Sequence, residues 1–203
     1  MQDVFSLEPK TTIPQDASYI ISYPHLIGYF SAKSSFSAAD LVAGAHMAYG
    51  WMPTILDLYP QKSLLSFEAG AELLTKAKQT GTLDDAGMQS LAALANNSLV
   101  GASKLLHFVA PGYFAIWDSR VYSFLHADRP YTTRVNNVST YRAYLRTLEV
   151  LKQDSRFPAF HSSINQKVGY EVSALRALEL VMFIGARAAA NNSFNPKPPR
   201  DSA

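Results

Sequence analysis

The chain has 203 residues, of which 48% are hydrophobic and 17% charged, with no cysteine and a formal net charge of +2. A length of this order gives one domain, or two small lobes on a shared core, and buries about 70% of the unfolded surface without a disulfide or metal staple. The missing cysteine excludes a disulfide scaffold, a thiolate nucleophile and thiolate-bound zinc or iron–sulfur centres. The apolar content excludes a disordered chain. No apolar run approaches the ~18–20 residues of a membrane helix, and MQDVFSLEPKTTIPQD lacks the basic-then-apolar pattern of a secretory signal. The expectation is a cytoplasmic, globular protein with a single helical domain over 1–190 and a flexible tail over 191–203.

Residues 1–36 read as an irregular arm interrupted by Pro9, Pro14 and Pro24, packed on the body through its aromatic residues. Ser37 and Asp40 form a capping box that opens a helix punctuated by Gly50 and Pro53. Pro53 suits the first turn of a short helix over Thr54–Tyr59. An amphipathic helix over 64–79 stops at Gly81, and Thr82 caps the next, which runs to about Ala95 with Asp84 and Asp85 in its first turn.

After the Asn96-Asn97-Ser98 turn, the pattern predicts helices over Leu99–Val109, from Asp118 through SRVYSFLHA, over Val138–Gln153, and over Tyr170–Ala190. Residues 128–137 read as a loop, and YFAIW (113–117) as an isolated extended stretch. Without strand alternation elsewhere, the fold class is all-α, with seven or eight helices in one body or in two lobes flanking a cleft.

The net charge hides an asymmetry. Residues 1–100 contain five Lys, no Arg and nine acids, whereas residues 101–203 contain four Lys, nine Arg and seven acids. Arginine's planar fork suits phosphates, so the second half offers a basic face through Arg120, Arg129, Arg134, Arg142 and Arg146. The five histidines lack metal-ligand spacing, so neither a metal nor a cofactor is expected. GxSxG, P-loop and GxGxxG motifs are missing too. Arg176 and Glu179 sit at ion-pair spacing on the last helix.

The most specific stretch is NNSLVGASKLLHFVAPGYFAIWDSRVYSFL (96–125), which places Lys104 early in one helix and Asp118 at the start of the next. Free N–H groups at helix starts and glycine turns are ready anion sites. Gly101-Ala102-Ser103-Lys104 and Asp118-Ser119-Arg120-Val121 resemble the hairpin-lysine and aspartate blocks of the helix-hairpin-helix DNA glycosylase superfamily. The resemblance implies an all-helical protein that binds double-stranded DNA and excises a damaged base. Asp118 would be the catalytic carboxylate and Lys104 a Schiff-base amine. Asn97, Ser98, Gly101 and Ser103 would hold a phosphate beside the arginines. A flipped base would stack on Trp51, Tyr113, Trp117 or His107.

Two other readings stay open at this point. One is a non-enzymatic helical module for nucleic acid or a protein partner. The other is a small-molecule binder walled by Tyr49, Trp51 and Trp117.

Overall fold

The computed structural model describes residues 2–51, 55–126 and 128–192, with side chains through residue 186. The described residues form helices and no strand, and the helices outnumber the expected seven or eight. The arm is not one long helix but a series of turns: α1 (Val4–Leu7), a 3-10 turn (Glu8–Lys10), α2 (Ser18–Ile21) and α3 (Tyr23–Ser31). Pro24 sits in the first turn of α3, where its missing N–H removes nothing. The arm packs on the body by burying Val4, Phe5, Ile13, Ile20, Tyr23 and Phe30. Polar ties reinforce it, with Lys167 paired to Glu8 at 2.5 Å and Arg156 to Asp3 at 2.9 Å.

Helix α4 (Ala38–Trp51) opens on the expected capping box. The Asp40 N–H donates to Ser37 Oγ (3.2 Å), and the Ser37 N–H donates to Asp40 Oδ2 (3.0 Å). The expected helix over Thr54–Tyr59 is corrected for residues 55–59, Pro53 and Thr54 lying outside the described residues. Leu58 instead forms an antiparallel bridge with Ala95, and the Tyr59 N–H donates to the Leu94 carbonyl at 2.9 Å.

The four-residue α5 (Pro60–Ser63) leads to α6 (Phe67–Thr80). Gly81, at φ 67°, ends α6 in the left-handed conformation that only glycine adopts cheaply, with the Tyr113 ring closed over it. Helix α7 (Asp85–Leu94) takes its cap from Asp84 rather than Thr82, the carboxylate accepting from the Gly87 N–H at 2.7 Å.

Helices α8 (Leu99–Val109) and α9 (Ser119–His126) fall where the pattern placed them; Ala127, the last residue of the expected α9 stretch, lies outside the described residues. The expected 128–137 loop contains one further turn, α10 (Thr132–Val135). Helix α11 spans Val138–Lys152. The unexpected helix is α12 (Phe157–Val168), opened by Pro158 in its first turn and closed by Gly169 at φ 84°. Helix α13 (Ala174–Asn192) starts four residues later than expected because Ser173 caps it, its Oγ accepting from the Arg176 N–H at 3.1 Å. Residues 193–203 of the expected tail lie outside the described residues. No helix among the described residues is long and apolar enough to cross a membrane.

Two helices are buried on nearly all sides. Every residue of α8 is buried except Val100, which is half-buried, and so is every residue of α13 from Leu175 to Phe183. A helix enclosed in this way should be apolar all round. Helix α8 nevertheless carries Ser103, Lys104 and His107, and α13 carries Arg176 and Glu179.

Between α8 and α9 the chain runs extended through Phe114–Trp117, fully buried, with no neighbouring strand to pair with. Its carbonyls take side-chain donors instead. His107 Nδ1 donates to the Phe114 carbonyl (2.8 Å), the Tyr141 hydroxyl to Ala115 (2.9 Å) and the Tyr144 hydroxyl to Ile116 (3.2 Å), while Ser103 Oγ shares its one proton between the Val100 carbonyl (2.8 Å) and that of Trp117 (3.3 Å). Removing one donor leaves a buried carbonyl unsatisfied. Tyr141→Phe is expected to destabilise the protein by about 1–3 kcal/mol, read as the urea unfolding midpoint at constant slope. An unchanged midpoint would contradict this accounting.

Candidate functional site

The extended segment ends at Asp118, which caps α9 as the sequence suggested. Asp118 Oδ1 accepts from the N–H groups of Arg120 (2.9 Å) and Val121 (2.8 Å). Oδ2 makes no hydrogen bond among the described residues, yet no buried side-chain oxygen there lacks a partner, so Oδ2 reaches solvent. It does so at the floor of a cleft of about 350 Å³. The walls are the α7–α8 turn (Asn96, Asn97, Ser98), Ser119 at the start of α9, and the 128–137 loop (Pro130, Thr132, Asn136).

The turn is shaped by its asparagines. Asn96 (φ 56°) and Asn97 (φ 48°) both adopt the left-handed conformation, which asparagine tolerates better than other non-glycine residues. Asn136, which the sequence reading did not single out, clamps the loop to this turn. Its Oδ1 accepts from the Leu99 N–H at 2.6 Å and its Nδ2 donates to the Asn97 carbonyl at 2.9 Å.

Gly101 is not part of the turn. It lies in the first turn of α8, where a Cβ would come within 1.5 Å of the Tyr49 hydroxyl oxygen. Its N–H is taken by Ser98 Oγ at 3.3 Å. The Leu99 and Gly101 amides are both engaged by side chains, so Gly101 has no free amide to offer a phosphate, while Asn97 and Ser98 line the cleft. Ser103 is withdrawn as well: it is fully buried and holds Trp117, whose N–H donates to its Oγ at 3.1 Å.

Behind Asp118 lies Lys104, buried at 6% exposure and not part of the cleft wall. Its ammonium sits in the field of Asp118 and of Glu179 on α13 without a direct ion pair to either. Burial lowers the Lys104 pKa, and the two acids oppose the shift. Burial raises that of Asp118, opposed by the Val121 N–H and by Lys104. An ionised Asp118 therefore depends on Lys104 and on the α9 amides. Glu179 is ion-paired with Arg176, and burial pushes its carboxyl up to about 7. The Arg176 guanidinium lies over the rings of Tyr23 (5.1 Å) and Trp51 (5.2 Å).

His107 belongs to this buried chain and not to the cleft. A carbonyl only accepts, so Nδ1 carries the proton given to Phe114, and Nε2 accepts from the Tyr23 hydroxyl at 2.8 Å. The aromatic residues expected to stack on a base are elsewhere. Trp117 is enclosed, donating to the Val135 carbonyl at 2.8 Å, and Trp51 packs in the core against Phe108 with its N–H on Tyr19. Tyr49 is buried against Gly101, and none of these three rings lines the cleft. Tyr113 is exposed but lies at the far end of α8, beside Gly81.

The arginines do not form one face. Arg142 is tied to Asp85 (3.0 Å) and to the Leu83 carbonyl, and Arg120 lies over the Phe183 ring. Arg146 is exposed on α11. Arg129 and Arg134 alone flank the cleft loop, both within about 5.5 Å of the Tyr131 ring centre. Among the described residues, no three His, Asp or Glu side chains gather to hold a metal ion.

The buried imidazole has a consequence for pH dependence. Burial, with the Arg176 charge, lowers the His107 pKa from 6.5 to about 3. Its stabilising contribution is complete above about pH 6.5 and is lost as pH falls toward 3, because the unfolded chain binds the proton first. Glu179 has the opposite sign: its contribution is present below its ordinary value of 4.5 and lost as pH rises toward 7. Below 4.5 the paired carboxylates Asp3, Asp40, Asp84 and Asp154 also lose their contribution, so the His107 share is read as the difference between wild type and variant. Urea unfolding of the wild type and His107→Gln at pH 7 and pH 4 should show a smaller acid loss in the variant, by up to about 1.4 kcal/mol per pH unit. Equal losses would contradict a neutral, buried His107.

No protein-family model, no curated protein and no solved structure matches this chain.

Proposed function

We propose that the protein binds duplex DNA and receives one extruded nucleotide in the cleft above Asp118, where the bond between base and sugar is hydrolysed. The observation that carries this reading is the division of labour in one carboxylate. One oxygen of Asp118 is fixed by two α9 amides, the other takes no hydrogen bond among the described residues, and the residue lines the cleft. A volume of 350 Å³ is at the small end of ligand sites, which suits a single nucleotide moiety rather than a longer segment. Of the polar side chains on the walls, Asn96, Ser98 and Asn136 are bonded to backbone groups, which leaves Asn97, Ser119 and Thr132 to supply donors and acceptors to a base edge.

In this reaction water adds its hydroxyl to the sugar C1′ while the base leaves with the bonding electron pair and takes up a proton. Asp118, ionised beside Lys104, stabilises the positive charge that develops on the sugar and accepts the proton of the attacking water. Lys104 acts through Asp118. In this reading Lys104, at 6% exposure and not among the residues lining the cleft, forms no Schiff base, and borohydride is expected to trap no covalent adduct.

The test uses duplexes carrying single deaminated, alkylated or oxidised bases, with released base measured by mass spectrometry. The wild type should release at least one class. Asp118→Asn should lose about 10²-fold or more of that rate while keeping DNA affinity and a stability within ~1 kcal/mol, because asparagine caps a helix as well as aspartate does. Full activity of Asp118→Asn, or no salt-dependent DNA binding by the wild type, would contradict the reading.

A further inference from the structure

The loop that walls the cleft carries an arrangement not yet assigned a role. Pro130 and Thr132 line the cleft, while Tyr131 between them is 50% exposed. The guanidinium groups of Arg129 and Arg134 lie 5.4 and 5.3 Å from its ring centre. Arg129 has no ion pair among the described residues, and Arg134 is held by the Tyr122 hydroxyl and by the half-exposed Asp128. The loop is braced from below, since the Val135 carbonyl accepts the Trp117 N–H and Asn136 clamps the start of α8.

We infer that Tyr131 and the two arginines form the element that grips the phosphodiester strand of DNA at the mouth of the cleft. This rests on the proposed function and names the strand-binding part of that same site. The aromatic ring holds two long, flexible cations in place before the strand arrives, which lowers the ordering entropy of a phosphate contact. Arg129 is available at once. Arg134 exchanges the Asp128 carboxylate for a phosphate, and both partners are exposed enough for the exchange to be cheap. Pro130 and Thr132 line the cleft while Tyr131, in extended backbone between them, is half-exposed, so the strand lies on the outer side of the loop and the nucleotide enters on the inner side.

The experiment is fluorescence anisotropy of a labelled duplex containing a stable abasic-site analogue, titrated with the full chain between 50 and 200 mM KCl. Arg129→Ala should lower the slope of log affinity against log salt by about one, the loss of one phosphate contact. Tyr131→Ala should weaken binding about fivefold to tenfold, whereas Tyr131→Phe, which keeps the ring, should stay within about twofold of wild type. Thermal midpoints of all three should match the wild type, since the changed side chains are exposed. If the wild type binds and both alanine variants bind equally well with an unchanged slope, the strand lies elsewhere and this inference fails while the proposed function stands. If the wild type does not bind, both fail together.

Discussion

The structure depends on a buried extended segment in a protein without a sheet. Phe114–Trp117 crosses the core with four carbonyls in a row, and backbone carbonyls left unpaired there would cost several kcal/mol together. A helical protein has no strand edge to offer, so side chains of two different helices supply the donors. His107 and Ser103 come from α8, and Tyr141 and Tyr144 from α11. The arrangement locks α8, α11 and the segment into one register. It delivers Asp118 to the floor of the cleft from a rigid base.

The same constraint explains why polar residues sit on helices that are otherwise apolar. His107 bonds the segment on one side and Tyr23 on the other, which draws α3 of the N-terminal arm into the core. Tyr23 in turn lies under Arg176, whose partner Glu179 shares a field with Lys104 and Asp118. A continuous run of polar groups thus leads from the arm to the cleft. A buried ion pair of this kind is weak evidence for stability, because removing both charges is often neutral while removing one leaves the other stranded. Its effect here is electrostatic: the Glu179 carboxyl opposes the lowering of the Lys104 pKa by burial and is itself raised by burial and by the Asp118 charge.

Local signals were legible in the sequence, and long-range ones were not. The Ser37/Asp40 box, the α8 and α9 boundaries and the cap at Asp118 follow from short spacings that need no tertiary information. The Asn96-Asn97-Ser98 turn and Asp118 stand out together in the stretch 96–125, and the fold brings them to one cleft. Helix α12 had its own signals, Pro158 and Gly169, but polar residues between them obscured the apolar stripe. Asn136 was invisible because its partners are 37 and 39 residues away. Tyr141 and Tyr144 carry no local signal of their role, since their hydroxyls pair with carbonyls 26 and 28 residues away. Trp117 and His107 show the converse error. An aromatic residue beside a candidate site looks like a stacking surface until its polar atom is found bonded in the core. Gly101 looked like a turn glycine, and the reason for it is the Tyr49 ring against its Cα.

The central claim is that the cleft between the α7–α8 turn and the 128–137 loop is where nucleic acid meets Asp118. Hydrogen–deuterium exchange of the full chain, with and without a duplex carrying a stable abasic-site analogue, addresses it most directly. The account predicts added protection of the amides in 96–101 and 128–136, with the interior of α8 and α13 unchanged. Protection absent from those segments, or confined to the far face around Asn165–Tyr170, would contradict it.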